Sequence, residues 1–336
     1  MRYAIALLLL SLTGCGQSES GPAHLNEYLS RLSSVTDMAL ESESLPRFSL
    51  VPPAPDKTGP PTNQKIDLID FLSLTGCSLQ VNLGRRNTQL GRTASPSQRL
   101  LLDLEFLDLA PACIDLLEQR GDTALAAKIR IASDERKQSL PSAVVDAVLL
   151  GAEWRAFWHA NPTLADYPRQ TNSAIEQAVT VLSAMIAHWL DGDWSADNRA
   201  FELLLSDLRA GDGGELLLAT SHLVSALESA NTLLIKTQSE RPLCPYGQTT
   251  ERSRAFERVV QQFFVGNVQP WVVSLRRRAE LIHEPAKRLE AVLAVALTQP
   301  YQDWMVARDA LLLQLTQMTR QHVQTVQATL IRCNQR

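Results

Sequence analysis

Apolar side chains return at three- and four-residue steps along most of the chain, and no segment sustains an apolar–polar alternation of period two. Leu311, Leu315, Met318, His322, Val326, Leu330 and Cys333 form one stripe, and Ile175, Val179, Leu182, Ile186 and Trp189 form another. A third runs through Trp271, Leu275, Ile282, Leu289, Val292 and Ala296. On an α-helix each stripe is a single face that must be buried, whereas a strand would scatter the same residues over both faces. Asn-Gly hairpin signals are missing too. The pattern predicts an all-α chain, folded as an irregular multi-helix bundle. With 336 residues, 45% of them hydrophobic, there is enough apolar material for a sizeable core.

Periodicity and its punctuation predict about eleven helices, near 24–42, 65–84, 97–120, 122–139, 141–159, 173–190, 196–209, 214–238, 250–265, 269–298 and 301–332. Ser95-Pro96-Ser97-Gln98 and Ser173 with Glu176 read as capping boxes, and Asp212-Gly213-Gly214-Glu215 as a relative with Asp212 as the cap. Gly192, Gly211, Gly266 and Pro242 read as stops, and Pro285 predicts a kink. Residues 46–62 hold Pro46, Pro52, Pro53, Pro55, Pro60 and Pro61, a density that favours an extended segment near the N-terminus.

The first fifteen residues carry a second pattern. Met1-Arg2 is followed by an apolar run to Leu12, which ends Leu12-Thr13-Gly14-Cys15. The ten residues from Tyr3 to Leu12, all apolar but Ser11, span only about 15 Å as helix, half of a bilayer core of about 30 Å. The run therefore reads as a secretory signal, and its end as a bacterial lipobox. Cleavage before Cys15 and diacylglycerol on its sulfur would supply the several acyl chains that stable anchoring requires. Gly16, where an Asp would signal inner-membrane retention, favours the outer membrane with the body facing the periplasm. The expected organisation is 1–14 signal peptide, 15–23 lipidated tether, 24–62 N-terminal helix and Pro-rich linker, and 63–336 helical body. A weaker boundary falls at 161–172, with Pro162 and Pro168.

From Ile66 to Ile114 the text contains Asp70-Phe71-Leu72, Gly76-Cys77-Ser78-Leu79-Gln80, Arg86-Asn87, Leu90-Gly91, Ser97-Gln98-Arg99-Leu100 and Ala112-Cys113. Together with Glu153-Trp154-Arg155-Ala156-Phe157 and Val268-Gln269-Pro270-Trp271, these resemble DUF3080, a family of uncharacterised bacterial lipoproteins. The resemblance implies a lipoprotein and no particular activity.

If Cys15 takes lipid, four cysteines remain: Cys77, Cys113, Cys244 and Cys333. In an oxidising periplasm an even set suggests two disulfides, and of three connectivities Cys77–Cys113 with Cys244–Cys333 closes the shorter loops. Each would contribute ~4 kcal/mol by chain entropy. The first pair needs helix crossing or a break near Gly76, because its cysteines lie at unequal distances from the expected turn. The other reading is four buried free thiols.

Several constellations are candidate sites, each beside a plainer reading. Asp191, Asp193, Ser195, Asp197 and Glu202 have the spacing of a calcium loop, although Ala196 stands where the turn wants Gly. The plainer reading ends one helix at Gly192 and caps the next with Ser195. Arg85, Arg86, Arg92 and Arg99, with Asn87 beside a Gly84/Gly91 loop, could hold phosphate or carboxylate, or simply be solvated. Trp154, Phe157 and Trp158 could stack on sugar or belong to the core. His188, His222 and His322 lie on or beside apolar stripes without metal-motif spacing.

No nucleophile elbow, zinc-protease motif, phosphate loop or dinucleotide fingerprint is present, and no cofactor is implied. A net charge of -4 disfavours nucleic acid. The leading expectation is a non-enzymatic scaffold or interaction lipoprotein of the envelope, joined to the membrane by covalent lipid and to an envelope protein partner. The alternatives are a binding module for a lipid, cell-wall fragment or calcium, and an enzyme with a dispersed site.

Overall fold

The computed structural model describes residues 20–40, 49–54, 68–164, 167–168 and 174–334. Cys15, Ser173, most of the Pro-rich segment and half of the boundary at 161–172 lie outside the described residues. Of the described residues 80% are helical, in about ten substantial helices, and none of them is in a strand.

Helix α1 (Gly21–Thr36) starts at Ser20, whose Oγ accepts the N–H of Ala23, and stops at Asp37, where φ is 56°. The sequence places α1 before a linker and outside the body. The structure instead builds it into the main core: Leu25, Tyr28 and Leu32 are buried there, and the Arg252 guanidinium donates to the Thr36 carbonyl at 2.8 Å.

The expected helix 65–84 is two pieces, α2 (Leu68–Ser73) and α3 (Leu79–Asn87), broken at Gly76 with φ of 88°. That left-handed turn, which favours glycine, brings Cys77 to Cys113. A short α4 (Gln89–Arg92) follows, so Gly84 and Gly91 lie in helices rather than in a loop. Next, α5 (Pro96–Gln119) is capped by Ser95, whose Oγ accepts the N–H of Gln98 at 3.2 Å.

Its partner α6 (Thr123–Ala147) runs straight through Pro141, merging much of two expected helices. Proline there removes the donor for the carbonyl of Lys137, an exposed residue that water can serve. A short α7 (Ala152–Phe157) precedes α8 (Ala174–Leu190) and α9 (Asn198–Arg209). Then α10 (Gly213–Glu240), apolar on nearly every side, runs through the core, as such a helix must.

Gly266 is not a stop. Its φ is not positive, and α11 (Glu251–Val259) passes through a π-helical stretch, Val260–Val268, directly into α12 (Gln269–Val292). Helix α12 continues past Pro285 without a break. The last helix, α13 (Gln299–Ile331), pairs with α10. Both expected disulfides are present, Cys77–Cys113 and Cys244–Cys333.

Apolar residues gather in two cores. The larger joins α1, the inner halves of α5 and α6, and α7 to α13. The smaller surrounds Cys77–Cys113 and holds Leu79, Leu83, Phe106, Leu117 and Ile129 from α3 and the outer halves of α5 and α6.

Candidate functional site

The residues singled out in the sequence are mostly taken up by structure. Arg85 pairs with Glu105, and Arg86 with Asp103, an aspartate that also accepts from Arg136 at 3.2 Å. Asn87 and Arg99 are exposed. Trp154, Phe157 and Trp158 are fully buried and stack on one another with ring centroids 4.8 to 5.9 Å apart, so they are core and offer no platform for a sugar.

The oxygens of the 191–202 segment point in different directions. Asp193 Oδ1 accepts the N–H of Ser195, and Asp197 Oδ1 accepts that of Ala200, making Asp197 rather than Ser195 the cap of α9. Glu202 accepts from the Ser97 hydroxyl on α5 at 3.0 Å. No group of three or more His, Cys, Asp or Glu side chains that could hold a metal occurs among the described residues.

The structure assembles two buried polar networks from distant residues. In the first, the ring of His322 on α13 lies between the Tyr28 hydroxyl at 2.8 Å and the Asn231 side-chain oxygen at 2.7 Å. One neutral tautomer satisfies both bonds, with Nδ1–H donating to Asn231 and Nε2 accepting from Tyr28. Burial holds that ring neutral, pushing its pKa down to about 3, and pushes the Tyr28 hydroxyl up. The triad ties α1, α10 and α13 together.

In the second, Arg308 on α13 makes a bidentate pair with Glu290 on α12 at 2.6 and 2.8 Å, both side chains fully buried. Burial acts against the Arg308 charge, and the Glu290 hydrogen bonds and charge more than offset it. Tyr301 donates to Glu290 at 3.0 Å and accepts from Trp154 at 2.8 Å. Arg308 also donates to Asp309, which holds His283 at 2.7 Å at the edge of a surface groove of about 370 Å³ between α12 and α13.

A second cleft, of about 330 Å³, lies between α8, the end of α9, α10 and α12, with Asn161, Thr163, Leu164 and Tyr167 along one side. Arg278 of α12 donates Nε to Asp212 at 2.9 Å, with Nη2 on the same carboxylate. This explains why Asp212 does not cap α10: its side chain is engaged by the guanidinium. Burial acts to lower the Arg278 pKa, and the hydrogen bonds and charge of Asp212, together with Tyr167, more than offset it. The Tyr167 hydroxyl reaches the Asp212 carbonyl at 3.5 Å, and burial pushes its pKa up. Glu215 accepts the backbone N–H of Asn161, while its other oxygen, Oε2, is buried without a partner among the described residues.

Tyr167, in the wall of this cleft, is linked through Trp271 to the start of α1. The Trp271 indole donates to the Tyr167 carbonyl at 2.8 Å and lies flush against Gly21.

Among known families, the one described as "Protein of unknown function (DUF3080)" matches residues 25–336, nearly the whole chain. No curated protein and no solved structure matches it.

Proposed function

The chain belongs to the DUF3080 family, and because that description assigns no activity, we propose from the residues themselves that it is an outer-membrane lipoprotein whose helical body serves the periplasmic side as a scaffold or interaction protein. The observation that carries this reading is the position of α1. The lipobox cysteine, Cys15, stands roughly five residues before Ser20, a stretch that reaches about 18 Å at full extension. From Gly21 onward the chain is helix, locked into the main core by Leu25, Tyr28 and Leu32. A lipid on Cys15 would therefore hold the whole body close to the bilayer with restricted orientation, as a scaffold needs. The net charge of -4 offers no electrostatic substitute for that anchor.

Incorporation of an alkyne fatty acid, followed by fractionation, tests the anchor. The wild-type protein is expected to take label and sediment with outer membrane, and Cys15→Ser to take none. Unlabelled wild-type protein overturns the proposal. A second reading, a binding module for a small envelope ligand, is favoured by the cleft at Arg278.

A further inference from the structure

Two charged side chains in the cleft between α8, α10 and α12 are only partly engaged by Asp212 and Asn161. Arg278 is only 6% exposed and gives Nε and Nη2 to Asp212, which leaves Nη1 outside that pair. Glu215 has one oxygen on the backbone N–H of Asn161 at 3.3 Å, and Oε2 is buried with no donor among the described residues. Such an orphan is costly and rare in a folded protein, and a ligand that supplies the missing donor relieves it. Asp207 lines the same cleft, so three carboxylates face one guanidinium.

We propose that this cleft binds a small zwitterion, its primary ammonium held by Glu215 and Asp207 and its anionic group met by Nη1 of Arg278. A bare anion would face the three carboxylates, and a bare cation would leave the guanidinium nitrogen unused. The ammonium must carry N–H groups, because Oε2 needs a hydrogen and not just a positive charge. The volume of about 330 Å³ is at the small end of ligand sites and suits a headgroup-sized molecule.

Phosphoethanolamine and a free amino acid share this chemistry. Trp271 connects Gly21 to Tyr167, and Arg278 lies two turns further along α12, about 10 Å away. Resting on the lipid-anchor reading above, that proximity selects phosphatidylethanolamine, the lipid whose headgroup would lie at the tether.

Calorimetric titration of the purified full-length protein with glycerophosphoethanolamine, D-alanine and glycerophosphocholine tests the site. The N-terminal mass of the same sample shows independently whether Cys15 is lipidated. Saturable binding of glycerophosphoethanolamine is expected, with glycerophosphocholine weaker by about tenfold or more, the worth of a charge-assisted bond. Glu215→Gln and Asp207→Asn should each weaken binding while the thermal melt stays as in wild type. D-Alanine binding as tightly as the headgroup would support the zwitterion site and overturn the lipid as its source. Binding without lipid on Cys15 would support the cleft and overturn the anchor. Absence of saturation, equal affinity for the choline compound, or an unaffected Glu215→Gln would overturn the site itself.

Discussion

The indole of Trp271 occupies the space that any side chain on Gly21 would need: a Cβ built there stands 2.1 Å from Nε1. Helix α1 is thus seated on α12 at its first residue, next to the carbonyl of Tyr167. Gly21→Ala gains helix propensity but forces the indole or α1 to move. Overpacking of this kind costs about 1–3 kcal/mol. The variant is expected to melt several degrees below wild type, and an unchanged melt would mean that α1 shifts freely on its neighbour.

The Arg308–Glu290 pair should behave asymmetrically under substitution. Removing Arg308 strands a fully buried carboxylate, and removing Glu290 leaves the buried guanidinium with Asp309 alone, each at a cost of about 3–5 kcal/mol. Glu290→Gln and Arg308→Met should each lower the urea midpoint strongly. The double variant should recover part of the loss, because neither charge then remains. A double variant as unstable as the two singles summed would count against the coupling.

His322 predicts an acid-sensitive fold. Its folded pKa of about 3 lies below the ordinary value of 6.5, so the unfolded state binds the proton more readily. The stability associated with the neutral ring is complete above pH 6.5 and declines as pH falls from there towards about 3. One proton contributes a slope of about 1.4 kcal/mol per pH unit. Unfolding by urea between pH 7 and pH 4 should show that slope in wild type and a shallower one in His322→Gln. Equal slopes would mean the ring is protonated in the folded protein.

Calcium should leave the melt unchanged. Asp193, Asp197 and Glu202 are already engaged by Ser195, Ala200 and Ser97, so adding calcium or chelator should not shift the transition. A calcium-dependent rise would show that the 191–202 oxygens rearrange to bind it. Asp197→Ala should cost about 1 kcal/mol through the lost cap, with or without calcium.

What could be read from the sequence was local. The stripes marked most of the helices, the Ser95 cap is where Ser-Pro-Ser-Gln placed it, and Gly76 supplies the break that Cys77–Cys113 requires. Pro141 and Gly266 misled because their usual effects depend on surroundings: at one the freed carbonyl belongs to an exposed residue that water can reach, and at the other glycine tolerates helical dihedrals when no turn is required. Asp212 misled because its partner, Arg278, lies on a distant helix. The networks had a fainter signal. Arg308 sits on the buried face of α13 between Trp304 and Leu311, and Arg278 on that of α12 between Leu275 and Ile282. A charge on an apolar stripe announces a buried partner, but the stripe cannot say which carboxylate it meets.

The two cores divide α5 and α6 along their length. Each helix is one hydrogen-bonded rod, yet its inner half lies in the main core while its outer half lies in the smaller core with α3, around Cys77–Cys113. Unfolding therefore need not follow the boundaries of secondary structure. The outer ends can open as one cooperative unit with α2 and α3 while the inner ends stay closed, so amide exchange should change rate part-way along a single helix.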